Sequence, residues 1–261
     1  MTSPAIFESG SYFRETSLVT TTATIVTDFR AVAVTSAGWS EPSANLFKSP
    51  VDANSRFMDI LLTEISTTRL GWRVRDQNAV TICDRAFDIG ASVTMNYFIG
   101  QHFAVVTNIT GAELGQAFML SLEPESQTVH ANYTVATASR SSAGTGDSNG
   151  DSVGEYFAID NVAAAVQNRL IIHNSNAVII PLINFSGALR YIPCVSQALF
   201  DATNRRVQGA LYNAVLVDSG QLFASLHTIS IGDAGETGDF KVQPLVTIQG
   251  IRMAVRKGTT V

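Results

Sequence analysis

Charge is the scarcest commodity in this sequence. Only 15% of its 261 residues are Asp, Glu, Lys or Arg, while 46% are hydrophobic; an ordinary soluble domain carries about a quarter charged. The mean hydropathy is +0.17. Lysine is nearly missing, with Lys48, Lys241 and Lys257 the whole complement. A formal net charge of −5 and so few basic residues exclude the basic stripe of a nucleic-acid binder. Long apolar runs are lacking too. A membrane-spanning helix needs roughly 18–20 apolar residues in succession, and the longest apolar stretches here, Ala177 to Phe185 and Leu211 to Val217, are strand-length. The two cysteines, Cys83 and Cys194, lie far apart in separate apolar stretches. They read as buried free thiols and not as a disulfide framework. The first residues lack the basic start and apolar stretch of a secretory signal, so synthesis in a cytoplasm without a signal peptide is expected.

With no membrane to cover it, an apolar, charge-poor surface implies burial against other protein chains, because obligate interfaces are depleted in charge and resemble a core cut in half. What the chain does have is strand signal. From Phe57 to Asn108 it reads as five short strands joined by tight turns: FMDILLTEIS, RLGWRVRD, NAVTICDRAFDI, SVTMNYFI and QHFAVVTN. Strands so close in sequence pair antiparallel, since a parallel pair needs a crossover of a dozen residues or more. Gly100, between the last two, is expected to supply the positive φ of a tight turn. Trp39 belongs to a loop over 38–55 that packs at least one aromatic.

Residues 1–17 mix Pro4, Gly10 and serines with isolated aromatics and read as an arm, either disordered or docked on a neighbour through Phe7, Tyr12 and Phe13. Residues 18–37, dense in Val and Thr, read as strand, broken near Asp28. The first β region therefore runs over 18–138. A Gly/Ser/Asp-rich loop or linker follows at 139–154, too polar to fold alone. A second β region covers 155–261 and forms one domain with the first or a separate one. Pro181 and Pro244 mark edge or bulged strands there. Val162 to Asn168 and Val195 to Arg206 are the two candidate helices, the second with Ser196 as its cap. The fold class expected is all-β, an antiparallel sandwich or barrel-like arrangement with at most one or two short helices.

Chemistry-bearing motifs are sparse. The acidic loop Asp147, Asn149, Asp151, with Glu155 after it, offers oxygen ligands at alternating positions of the kind Ca²⁺ takes. Its glycine and final acid are misplaced for an EF-hand, so these four are weak metal candidates beside the reading of a solvated linker. A second acidic, glycine-rich loop lies at 232–239. His102, His130, His173 and His227 are scattered singly, without metal-ligand spacing. The G-x-S-x-G elbow is absent, as are the P-loop and a dinucleotide fingerprint. The sequons at Asn108, Asn132 and Asn184 match by chance in a chain rich in Asn and Thr. Trp39, Trp72, Tyr97 and Tyr133 read as core or interface before sugar platform. Alternation sets Arg73 and Arg75 on one face, and with Arg85 they form a candidate subunit contact among apolar neighbours.

As a whole the chain resembles the virion structural proteins of tailed bacteriophages. The features that carry this are the Met1 start, the body rich in Thr, Val, Ala and Ser, the three lysines, the apolar terminal arm and the glycine-rich insertion at 139–155. The resemblance implies a non-enzymatic subunit of tail, baseplate or collar, with capsid decoration as an alternative, made in a host cytoplasm and located in the virion. Its partners would be copies of itself and other virion proteins, with no nucleic acid, membrane or cofactor. A glycan- or receptor-binding β-sandwich is the alternative from a different class.

Overall fold

The computed structural model describes residues 8, 10–52, 55, 57–75, 81–89, 92–110, 114–122, 134–140, 156–159, 169–170, 191–199, 205–217, 226–231, 236–246 and 252–261. This part is mostly β-strand in antiparallel and mixed sheets, with one 15-residue helix and no closed barrel. The chain opens with β1 (Tyr12–Val19) and α1 (Thr22–Arg30), which runs on as a wider π-wound segment, Ala31–Ser36. Next come β2 (Ser40–Ser43), β3 (Leu46–Lys48), β4 (Asp59–Ser66), β5 (Arg69–Arg75) and β6 (Thr81–Asp88), paired in that order as a five-stranded sheet. β7 (Val93–Ile99), β8 (Phe103–Thr110), β9 (Leu114–Leu122), β10 (Thr134–Arg140) and β11 (Tyr156–Ile159) follow. The later strands are β12 (Arg169–Leu170), β13 (Tyr191–Leu199), β14 (Arg205–Val217), β15 (Leu226–Ile231), β16 (Glu236–Val246), β17 (Arg252–Arg256) and β18 (Thr259–Thr260). A seven-stranded sheet has the order β11-β10-β9-β8-β7-β1-β18, and a six-stranded sheet the order β12-β13-β14-β17-β16-β15.

The five strands expected between 57 and 108 are β4 to β8, yet they do not form one sheet. β4, β5 and β6 belong to the five-stranded sheet, whereas β7 and β8 belong to the seven-stranded one. The sequence of β7 explains this position, because both of its faces are covered. Val93, Met95, Tyr97 and Ile99 join a core cluster with Ile25, Val26, Phe29 and Val32 of the helix and with Phe47, Ile60, Leu62 and Trp72 of the five-stranded sheet. Asn96 and Phe98, pointing the other way, are equally buried. On that second side the six-stranded sheet approaches, with β14 and β16 against β8, β9 and β10.

Three segments differ in type from their sequence reading, and one of them is 38–55, expected as a loop, which holds the paired strands β2 and β3. Residues 18–37 are strand only to Val19 and then helix. Thr22, Ile25, Val26, Phe29, Val32 and Ala33 are buried at helical spacing, and Thr21 caps the first turn, accepting from the Thr24 N–H at 3.3 Å. Burial of that stripe outweighs the small helix penalty of the β-branched residues. Val195 to Arg206, expected as a helix, instead contributes to β13 and β14, where Ser196 sits opposite Gly209. The arm is also shorter than expected. Tyr12 to Ser17 lie within β1, which pairs antiparallel with β7 and parallel with β18. Pro244 lies in β16 where the register against β17 shifts between Val242 and Val246, the bulge expected of a strand proline. Pro181, Val162 to Asn168 and the loop at 141–154 lie outside the described residues; 139 and 140 end β10.

Candidate functional site

The described contact residues read from sequence are divided between β1 and the β5–β6 pair. Phe13 is buried, its ring 5.0 Å from that of Phe98, so it belongs to this chain's own core and not to a neighbour's surface. Tyr12 is half-buried and packs on the main cluster. In β5, Arg73 is exposed, while Arg75 donates to Asp59 across the β4–β5 ladder at 2.8 Å. Register separates Arg85 from both, because it pairs with Trp72 and so falls outside the Arg73 row. Phe7 and the metal candidates Asp147, Asn149, Asp151 and Glu155 lie outside the described residues. Among the described residues no group of three or more His, Cys, Asp or Glu is placed to hold a metal.

Two polar clusters that no local motif announces tie the larger sheets together. Glu8 is buried just ahead of β1, and its carboxylate accepts from the His102 backbone N–H at 3.2 Å and lies 2.6 Å from His102 Nδ1. Its own backbone N–H donates to Asn213 Oδ1 of β14 at 3.2 Å, and its carbonyl accepts from Arg256 of β17 at 3.3 Å. One residue thereby pins the β7–β8 turn to the six-stranded sheet. In the second cluster Lys241 of β16 reaches across to β1 and β7, meeting Glu15 Oε2 and, at 3.0 Å, Asn96 Oδ1.

Elsewhere charge is handled within the chain. Arg30 grips Glu41 through two hydrogen bonds of 2.6 and 2.9 Å. Hydrogen bonding to Arg30 holds the Glu41 carboxyl below its usual range, and the same bond raises Arg30. Burial pushes Asp59 upward despite Arg75 beside it. Tyr97 is driven well above its ordinary value by burial, with Asp28 adding to the shift, while Arg14 pairs with Asp28 at 2.9 Å. Each of the three lysines lies over a phenylalanine ring: Lys48 at 3.7 Å over Phe57, and Lys241 and Lys257 at 5.1 Å over Phe13. Such cation–π contacts attract the ammonium to the ring face and draw lysine back from solvent.

The outward surface shows the opposite economy at the entry to α1. Leu18 is 80% exposed although it is large and apolar. It also adopts φ 58, a left-handed conformation costing an L-residue about 1–2 kcal/mol. Thr22 fastens the following helix start to the β4–β5 turn, its N–H donating to Thr67 O at 2.8 Å and its hydroxyl to Ser66 O at 2.9 Å. That turn projects, since Thr63 to Thr68 are all exposed. Ile65 on it is 55% exposed. Two exposed aliphatic side chains thus flank one junction between β1, α1 and the hairpin.

The chain matches no protein-family model, and no curated protein shows significant sequence similarity to it.

Proposed function

We propose that the chain is a non-enzymatic structural subunit of a phage virion, belonging to the tail, baseplate or collar and acting through homo-oligomeric or lattice interfaces. The observation that carries this reading is the junction of Leu18 and Ile65. A strained, exposed leucine beside a projecting hairpin that carries an exposed isoleucine is unfavourable for an isolated chain. It becomes favourable once a neighbour covers it, because removing apolar area from water contributes about 25 cal/mol per Å². Backbone strain kept at an exposed apolar side chain points to use of that position. The low charge content and the lysines folded onto aromatic rings support the same reading, since they leave few hydrated groups to strip on association.

The test is the mass of the native particle by light scattering, for wild type and for Leu18→Asp combined with Ile65→Asp. Wild type is expected to assemble into a defined oligomer or lattice. The double variant is expected to be monomeric, with its circular dichroism unchanged. A wild-type chain that stays monomeric at its highest soluble concentration contradicts the reading.

A further inference from the structure

Lys241, Asn96 and Glu15 meet between the seven- and six-stranded sheets, although 145 residues of chain separate the lysine from Asn96 and 226 separate it from Glu15. Glu15 and Asn96 are direct cross-strand partners in the β1–β7 ladder, so their side chains share a face. Lys241 comes down on that face from β16. Its Nζ lies 3.0 Å from Asn96 Oδ1 and is ion-paired with Glu15 Oε2. The Phe13 ring closes one side, 5.1 Å from the ammonium, and the lysine side chain is only 14% exposed. Asn96 is fully buried, and its Nδ2 has no hydrogen-bond partner.

The geometry points to an isopeptide bond between Lys241 and Asn96, formed by the protein on itself with Glu15 as the proton carrier. The elements of the step are all present. A held amine beside a carboxamide is the arrangement in which an otherwise bimolecular acyl transfer becomes effectively unimolecular. Glu15 takes a proton from the Lys241 ammonium across their hydrogen bond, and the freed lone pair attacks Asn96 Cγ. A new Cγ–Nζ bond forms, and collapse of the tetrahedral centre breaks Cγ–Nδ2. Of the three hydrogens on the ammonium, one stays on the new amide and two pass through Glu15 to the departing nitrogen. That nitrogen leaves as ammonium and Glu15 ends as the carboxylate it began as, so no oxidant or co-reactant is needed.

The surroundings suit this chemistry better than they suit a lone ion pair. Buried polar groups are normally hydrogen-bonded. An ion pair leaves the Asn96 amide donors buried without an acceptor, whereas departure of Nδ2 removes them. Glu15, 42% exposed at the rim, gives the released nitrogen a way out. The bond would fasten β16 to β7, and it would do so independently of whether the chain assembles.

Mass spectrometry of the full chain, purified folded and then denatured, tests the assignment. Wild type is expected to be lighter than its sequence by about 17 Da, the mass of one ammonia lost on amide formation. Proteolysis should yield a branched peptide joining the segments around 96 and 241, and this distinguishes the bond from succinimide formation at Asn149-Gly150, which loses the same mass. Lys241→Arg keeps a cation over Phe13 but is expected to show the full mass and no branched peptide. Glu15→Gln keeps the side-chain shape and is expected to fold yet to cross-link at least tenfold more slowly. Full-mass wild type after prolonged incubation, a branched peptide surviving in Lys241→Arg, or undiminished cross-linking in Glu15→Gln would each overturn the assignment.

Discussion

A Cβ on Gly100 would overlap the Glu8 carboxylate and the Phe103 ring. Glycine is therefore required there for the close approach of Glu8, and not for the left-handed φ its place in a hairpin suggests; among the described residues the left-handed glycines are Gly10 and Gly38. Gly258 is similarly placed against the Ser11 backbone. We expect Gly100→Ala to destabilise the fold by about 1–3 kcal/mol, the usual range for overpacking, in urea unfolding monitored by tryptophan fluorescence. Its companion readout is faster hydrogen exchange at Glu8 and His102. None of this clamp could be read from sequence, because its members are 94, 205 and 248 residues apart and Glu8 looks like any other acid in a terminal segment. Leu18 was equally hidden, since nothing in a run of Val and Thr marks one residue as left-handed. Leu18→Asn, which tolerates that conformation, is expected to raise monomer stability by about 0.5–1 kcal/mol while weakening association.

The Glu41 carboxyl, held down by Arg30, gives a signed pH prediction at the same scale. Its folded pKa lies below the ordinary value of 4.5, so its contribution to stability is complete above that value and is lost as pH falls through the lowered one. Glu41→Gln should flatten the acid limb of the stability curve in that window. The effect should shrink in high salt, because Arg30 is 39% exposed. Asp59 has the opposite sign, since its raised pKa means that protonation favours the folded state, and Asp59→Asn should steepen the same limb.

At the scale of elements, the strands of 57–110 were legible because short alternating runs between turn residues have few other solutions. Their division between two sheets was not, because no residue between Asp88 and Val93 states which sheet follows. The helix over 22–36 departs from its strand-like composition for a definite reason. β-Branched composition argued for strand, whereas the positions Thr22, Ile25, Val26, Phe29, Val32 and Ala33 carried a helical period that decides the matter once a core exists to receive it. Phe29 is the centre of that stripe, edge-on to Trp39 at 6.0 Å and to Phe47 at 4.9 Å. Trp39 in turn donates its indole N–H to Gly100 O at 2.7 Å, so the expected burial of an aromatic in 38–55 holds although that segment carries strands β2 and β3. Phe29→Ala should cost about 3–5 kcal/mol in thermal or urea melts, with loss of the Trp39 near-ultraviolet signal.

For the molecule as a whole, scarcity of charge is the property that sequence and structure share. The lysines are withdrawn onto aromatic rings, the buried carboxylates Glu8 and Asp28 are held by His102 and Arg14, and large aliphatic side chains are left exposed at Leu18 and Ile65, as at Val51 and Val261. The assembly reading rests on that combination, and its central claim is that a neighbouring copy covers Leu18 and Ile65. Light scattering of the native wild-type chain beside the Leu18→Asp, Ile65→Asp variant tests this most directly. The account predicts a defined multiple of the 27.9 kDa chain for wild type and a folded monomer for the variant. Identical masses for the two proteins would contradict it.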